Sequence, residues 1–179
     1  TILDIVENLI NVIQNYYDVP DEHFLIYVFE KSKNFLITQT DKSFYKDGLH
    51  FQMPFIPMQS AVRHAIVSDL CNLIEANQTF DGLNLLSSVK DIFDLGAVSK
   101  NAWLTYGACK PNNIPYKLTS IYNKDLELVM NKDDDLELAK LLSVRKFIDA
   151  TPLKCNKSID DLSLNKKERK TKKEEQNID

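Results

Sequence analysis

The chain has 179 residues, an apolar fraction of 44% and a formal net charge of -4, which suits one folded domain with or without a tail. It holds no run of about 18 apolar residues, so no membrane span is expected, and its opening TILDIVENLI lacks the basic-then-apolar order of a signal peptide. Cys71, Cys109 and Cys155 are far apart and odd in number, which argues against a disulfide framework or structural zinc and for reduced thiols in a cytosolic compartment.

Residues 1–17 repeat Ile2, Val6, Leu9, Ile13 and Tyr16 or Tyr17 at helical spacing. This predicts an amphipathic helix, with Thr1 and Asp4 as a capping pair. The chain begins at Thr1 without Met, consistent with a processed, truncated or partial protein. Val19-Pro20-Asp21 punctuates the chain, and HFLIYVFE at 23–30 reads as a strand rich in aromatic and branched residues. A second strand is predicted at 34–40, then a polar connection ending in the turn Lys46-Asp47-Gly48.

In LHFQMPF at 49–55, alternation puts Leu49, Phe51 and Met53 on one face of a strand and His50 and Gln52 on the other, polar face. Pro54 ends that strand or keeps it at a sheet edge. Residues 59–76 form a second helix whose stripe is Val62, Ile66, Leu70, Leu73 and Ile74, with Arg63 and His64 in its N-terminal half. Over 80–93, Leu85, Leu86, Val89, Ile92 and Phe93 are expected to bury a short helix or loop near Asp94.

AWLTY at 102–106 reads as a short strand and 107–115 as a Gly/Pro/Asn loop. YKLTSIY and LELVM, joined by Asn123-Lys124-Asp125, predict a β-hairpin. A last helix is expected over 134–148, burying Leu136, Leu138, Ala139, Leu142 and Phe147. From about Lys154 aromatics vanish and the chain ends NKKERKTKKEEQNID. Such a segment cannot offset its ordering entropy and reads as a solvated linker. The predicted organisation is a domain over 1–150 and a charged tail over 151–179, with no internal repeat and no Gly-rich phosphate loop.

Three segments then stand in a telling order: FLIYVFEK at 24–31, KDGLHFQMPF at 46–55, and DLGAVSKNAWLTYGACKPNNIPYKLTSIY at 94–122. With them the sequence resembles the archaeo-eukaryotic primase domain of the primase–helicases of poxviruses and giant viruses, the nucleocytoplasmic large DNA viruses. That family carries a KDG-h-H strand, a following helix with an Arg, and an Asp ahead of a W-L-m-Y-G-S-x-K-P…Y-x-L-T block. The resemblance covers residues 23–145. WLTYGACKP followed by PYKLT is its most specific part, whereas KDGLH alone is weak.

The resemblance implies an α+β fold, a mixed or antiparallel sheet of the RRM-like primase core packed by helices; the composition adds a disordered charged C-terminal tail. It implies template-directed primer synthesis from nucleoside triphosphates on a DNA template, using Mg2+ or Mn2+ in the complete domain. It further implies a helicase in the same full-length protein and a place at the viral replication site in the host cytoplasm or in the virion. Matched residue by residue, His50 takes the place of the histidine that contacts the nucleotide's phosphates, Asp94 that of the late metal-binding carboxylate, and Lys46 and Lys110 two basic positions. Arg63 and Lys117 are further candidates for phosphate contact. The family's early D-x-D pair has no counterpart upstream of His50, since Asp4, Asp18 and Asp21 are not paired on an apolar strand. That motif is expected in sequence not present here, and the fragment alone is then expected to be inactive. Ala108 also replaces the usual Ser after the loop glycine.

Each candidate has a blander alternative. His50 is otherwise a polar residue on a half-exposed strand, Asp94 a helix cap or turn residue, the lysines solvated surface groups, and Trp103 core rather than base-stacking. The acidic net charge weighs against a broadly basic nucleic-acid surface and leaves local basic contacts open. The competing function is a non-catalytic module that keeps the primase fold to dock a helicase or nucleic acid.

Overall fold

The computed structural model describes residues 2–39, 42–99, 105–130, 134–143 and 153–157. In chain order these hold α1 (Ile2–Gln14), a 3-10 turn (Asp21–His23), β1 (Ile26–Lys31), β2 (Phe35–Gln39), β3 (Lys42–Lys46) and β4 (Leu49–Gln52). There follow α2 (Ser60–Ala76), α3 (Val89–Ile92), α4 (Leu95–Ser99), β5 (Tyr116–Tyr122) and α5 (Asp135–Leu141). The fold is α+β, and among the described residues every strand pairing is antiparallel. No helix among the described residues is long and apolar enough to cross a membrane. The chain divides into two compact units, each built from separated segments. One takes Thr1–Val19, Met58–Asn101 and Thr151–Asp179; the other takes Pro20–Pro57 and Ala102–Ala150.

The first unit is helical. Its core is the pairing of α1 with α2, in which Ile5, Val6, Leu9, Ile10 and Ile13 meet a stripe of Val62, Ile66, Leu70 and Ile74, all buried. Asn8 is buried within this apolar face. Its amide is satisfied on both sides, donating to Thr79 Oγ1 at 2.9 Å and accepting from Asn77 Nδ2 at 2.7 Å. Past the end of α1, Tyr16 is buried and donates its hydroxyl to Asp69 Oδ2 at 2.7 Å. The stretch predicted as a linker from Lys154 opens instead with contacts to this unit. Cys155 bridges Tyr17, the Asn156 amide donates to the Tyr16 carbonyl at 2.8 Å, and Lys157 Nζ lies 3.9 Å from the Tyr16 ring centroid. Burial, with Cys155 beside it, pushes the Tyr17 phenol up to about 12.

Between Phe80 and Phe93 the expected burial does not occur. Only Val89–Ile92 is helical, and Leu85, Leu86 and Ile92 are exposed. One turn of helix is too short to present an apolar stripe, so these leucines lie in irregular chain.

The second unit is a three-stranded sheet in the order β4-β1-β5 and a separate β2-β3 hairpin. β1 is central, and Ile26, Tyr27, Val28 and Phe29 are buried in succession, the pattern of a strand covered on both faces. On one face Tyr27, Phe29 and Ile121 pack with Leu138 and Leu142 from α5 and its end. Asp134 caps α5 by accepting from the amides of Leu136 and Glu137.

Several expectations are corrected here. Residues 21–23 form the 3-10 turn, so the first strand starts at Ile26. The polar connection before Lys46 contains a strand, β3. The hairpin expected of YKLTSIY and LELVM forms over a short stretch: Leu128 bridges Tyr122 antiparallel, flanked by Asn123 N donating to the Glu127 carbonyl at 3.1 Å and Val129 N donating to the Ile121 carbonyl at 2.9 Å. Asn123 Oδ1 accepts from the amides of Asp125 and Glu127, and Leu126 has φ 63°. This side-chain turn reverses the chain beside the end of β5, and Leu128 and Met130 stay exposed. Thr105 and Tyr106 lie outside any strand, while 102–104, with Trp103, lie outside the described residues. So do Thr1, Phe147 and 158–179.

Candidate functional site

The second unit arranges the residues around His50 through strand register. Among the described residues β4 is an edge strand paired with β1, placing His50 opposite Phe29 and Leu49 opposite Glu30. On the other side of β1, β5 places Leu118 opposite Phe29, Lys117 opposite Glu30 and Tyr116 opposite Lys31. Because side chains alternate across the pleat, His50, Phe29, Leu118, Lys31 and Tyr116 share one face. Leu49, Phe51, Glu30 and Lys117 share the other. The expectation that His50 occupies a polar face is therefore corrected. β1 is buried on both faces, so β4 beside it has no purely polar side, and all four of its residues are half-buried.

On that face the imidazole of His50 lies flat against the ring of Tyr116, with centroids 3.7 Å apart and planes 18° apart. Lys31 Nζ stands 5.1 Å from the same ring centroid. Gly48 lies against Tyr116 too, in a turn where its amide donates to Asp47 Oδ1 at 2.7 Å. Burial pushes the Tyr116 phenol up, and the Asp47 carboxylate adds to the shift. The face thus combines an imidazole, an ammonium and a neutral phenol. Such groups donate hydrogen bonds to, or attract, an anionic oxygen.

The other candidates distribute as follows. Lys46 ends β3 opposite Phe35 and is exposed. Lys110 is exposed in the loop that leads into β5, a loop shaped by Gly107 at φ 81° and Asn112 at φ 61° and closed by Asn113 N donating to the Lys110 carbonyl at 3.0 Å. Lys117 is on the face of the sheet opposite His50. Asp94 and Arg63 belong to the first unit. Asp94 is exposed, and its Oδ1 accepts from the amides of Gly96 and Ala97 at 2.8 and 3.2 Å, capping α4. Arg63 is half-buried on α2, and its Nε has no hydrogen-bond partner among the described residues.

Among the described residues no group of three or more His, Cys, Asp or Glu side chains stands close enough to hold a metal ion. These residues do not by themselves assemble a divalent-metal site. Lys31 and Tyr116 escaped the sequence reading, since their tie to His50 runs through pairings across two strands.

The family profile described as "C962R protein N-terminal AEP domain" matches residues 1–122. A curated protein of Acanthamoeba polyphaga mimivirus, "Putative helicase L207/L206", is 27% identical over 168 residues. That alignment covers 91% of this chain and 17% of the mimivirus protein. No solved structure matches significantly.

Proposed function

This chain belongs to that family of N-terminal AEP domains, and from this premise we propose that it is part of a viral primase–helicase and serves template-directed primer synthesis. The observation that carries the reading is the flat, half-buried seating of His50 on an edge strand, on the same face as Lys31. In phosphoryl transfer the protein's task is to position the nucleotide and neutralise its charge. His50 donates from its ring to a phosphate oxygen of the incoming nucleotide, while Lys46 and Lys110 supply positive charge from a turn and a loop. The reading includes Mg2+ or Mn2+ in the complete domain, with Asp94 as one carboxylate ligand, and a DNA template. A helicase region elsewhere in the full-length protein is part of the same proposal, supported by the name of the mimivirus relative.

The test is a titration of the chain with ATP and Mn2+, followed by calorimetry. His50→Ala is expected to weaken binding about tenfold or more, the worth of one charge-assisted hydrogen bond. The variant should still melt cooperatively. Lys110→Ala should weaken binding less, because an exposed lysine contributes a screened point charge. Equal binding by all three forms would remove the site. Absence of binding by any form would favour a docking module that keeps the fold.

Asp94 admits a separate test. Asn caps a helix as well as Asp does, so Asp94→Asn should leave the melt unchanged, whereas Asp94→Ala costs about 0.5–1 kcal/mol. Manganese binding read by electron paramagnetic resonance should fall in both variants. Unchanged manganese binding in Asp94→Asn would leave the residue a cap alone.

A further inference from the structure

Tyr116 is the point at which three elements converge. It opens β5, its cross-strand partner is Lys31 at the end of β1, and the imidazole of β4 lies flat on its ring at 3.7 Å. The turn before β4 is shaped to admit it. A Cβ added at Gly48 would stand 3.2 and 3.3 Å from Tyr116 Cζ and Cε1, and closer still to the hydroxyl oxygen. Gly48 does not have a positive φ. The bare glycine therefore leaves room for the tip of the tyrosine ring and is not needed for backbone conformation.

A histidine on an edge strand has a broad second side-chain torsion, so its ring nitrogens sweep a wide arc. A parallel ring at van der Waals distance removes that freedom. Stacking uses the π faces, while the nitrogens donate in the plane of the ring, so the contact fixes the direction of the donors without consuming them. The electron-rich face of a tyrosine also favours a cation above it, which suits both the Lys31 ammonium and an imidazolium.

We propose that Tyr116 is the positioning residue for His50: its ring sets the plane of the imidazole that meets a triphosphate, and Gly48 is bare so that this ring can sit beneath it. The proposal rests on the reading of His50 as a phosphate contact. It ties the KDGLH and PYKLT segments into one device, in which the glycine of the first makes room for the tyrosine of the second.

The experiment pairs calorimetric titration of inorganic tripolyphosphate with proton NMR of the His50 ring. In the wild type the Tyr116 ring current should move the His50 ring protons upfield. Tyr116→Phe keeps the stack and should hold affinity within about twofold. Tyr116→Leu should lose the upfield shift and weaken binding about tenfold, matching His50→Ala and adding nothing to it in the double variant. Gly48→Ala should behave as Tyr116→Leu does. Adding Tyr116→Phe to Gly48→Ala deletes the hydroxyl that the new methyl meets and should restore part of both signals. This rescue decides the matter if Tyr116→Leu fails to fold. Wild-type affinity and an unmoved His50 signal in Tyr116→Leu, alongside weak binding in His50→Ala, would overturn the positioning role and leave the phosphate reading standing. A wild type that binds no tripolyphosphate would overturn both.

Discussion

Phe29→Ala should destabilise the chain by about 3–5 kcal/mol, the usual cost of removing a buried aromatic ring. Phe29 is 4% exposed and lies on the central strand, with His50 and Leu118 as its neighbours in register. Its ring packs in the cluster formed by Tyr27, Ile121, Leu138 and Leu142 and meets Tyr106 edge-on at 6.0 Å. The edge-on pair adds about 0.5–1.5 kcal/mol beyond the area buried. Central-strand packing leaves little room to collapse around the void, so the cost should sit at the upper end of its range. Phe29→Leu refills much of the volume and should cost below about 1.5 kcal/mol. Urea denaturation with an unchanged slope and a lowered midpoint would register both. A loss under about 1 kcal/mol for Phe29→Ala would mean that the face beneath His50 is not a packed core.

Periodicity made α1, α2, β1 and β4 legible, because each writes its packing into a run of neighbouring residues. Val62, Ile66, Leu70 and Ile74 on α2 form one stripe, and four successive buried residues on β1 state that both faces are covered. Alternation in LHFQ shows that Leu49 and Phe51 share a side, but it does not say what stands against either side. That depends on β1, and the expectation of a polar face for His50 failed for this reason. LELVM alternates as a strand does, and it pairs with the end of β5 around Leu128 after a turn built on the Asn123 side chain. β3 went unseen because KSFYK carries too few apolar residues to read as a strand. The site was legible only where it coincides with motif residues. The stack of His50 on Tyr116 depends on β1 pairing with strands on both sides. The spacing of Asp94 from the WLTYGACKP block is equally uninformative, since Met58–Asn101 joins one unit and Ala102–Ala150 the other.

The same distinction between local pattern and distant partner governs the helical unit, where Tyr16→Ala is expected to cost about 3–5 kcal/mol. Tyr16 is 1% exposed and its hydroxyl donates to Asp69 at 2.7 Å. Truncation leaves a void and deprives the Asp69 carboxylate of a donor. Tyr16→Phe isolates the second loss and should cost about 1–2 kcal/mol, because the bond is made to a charged acceptor. Lys157 touches both groups, over the ring at 3.9 Å and 3.4 Å from the carboxylate. Both side chains of that ion pair are 40% exposed, so screening holds its worth to about 0–1 kcal/mol. Lys157→Met should therefore lower the melt slightly, and less in the Tyr16→Ala background than in the wild type, because part of its effect acts through the ring. Comparable losses for Tyr16→Phe and Tyr16→Ala would put the hydroxyl bond, and not the packed ring, at the centre of this contact. Equal effects of Lys157→Met in both backgrounds would separate the residues after Leu153 from the tyrosine they lie against.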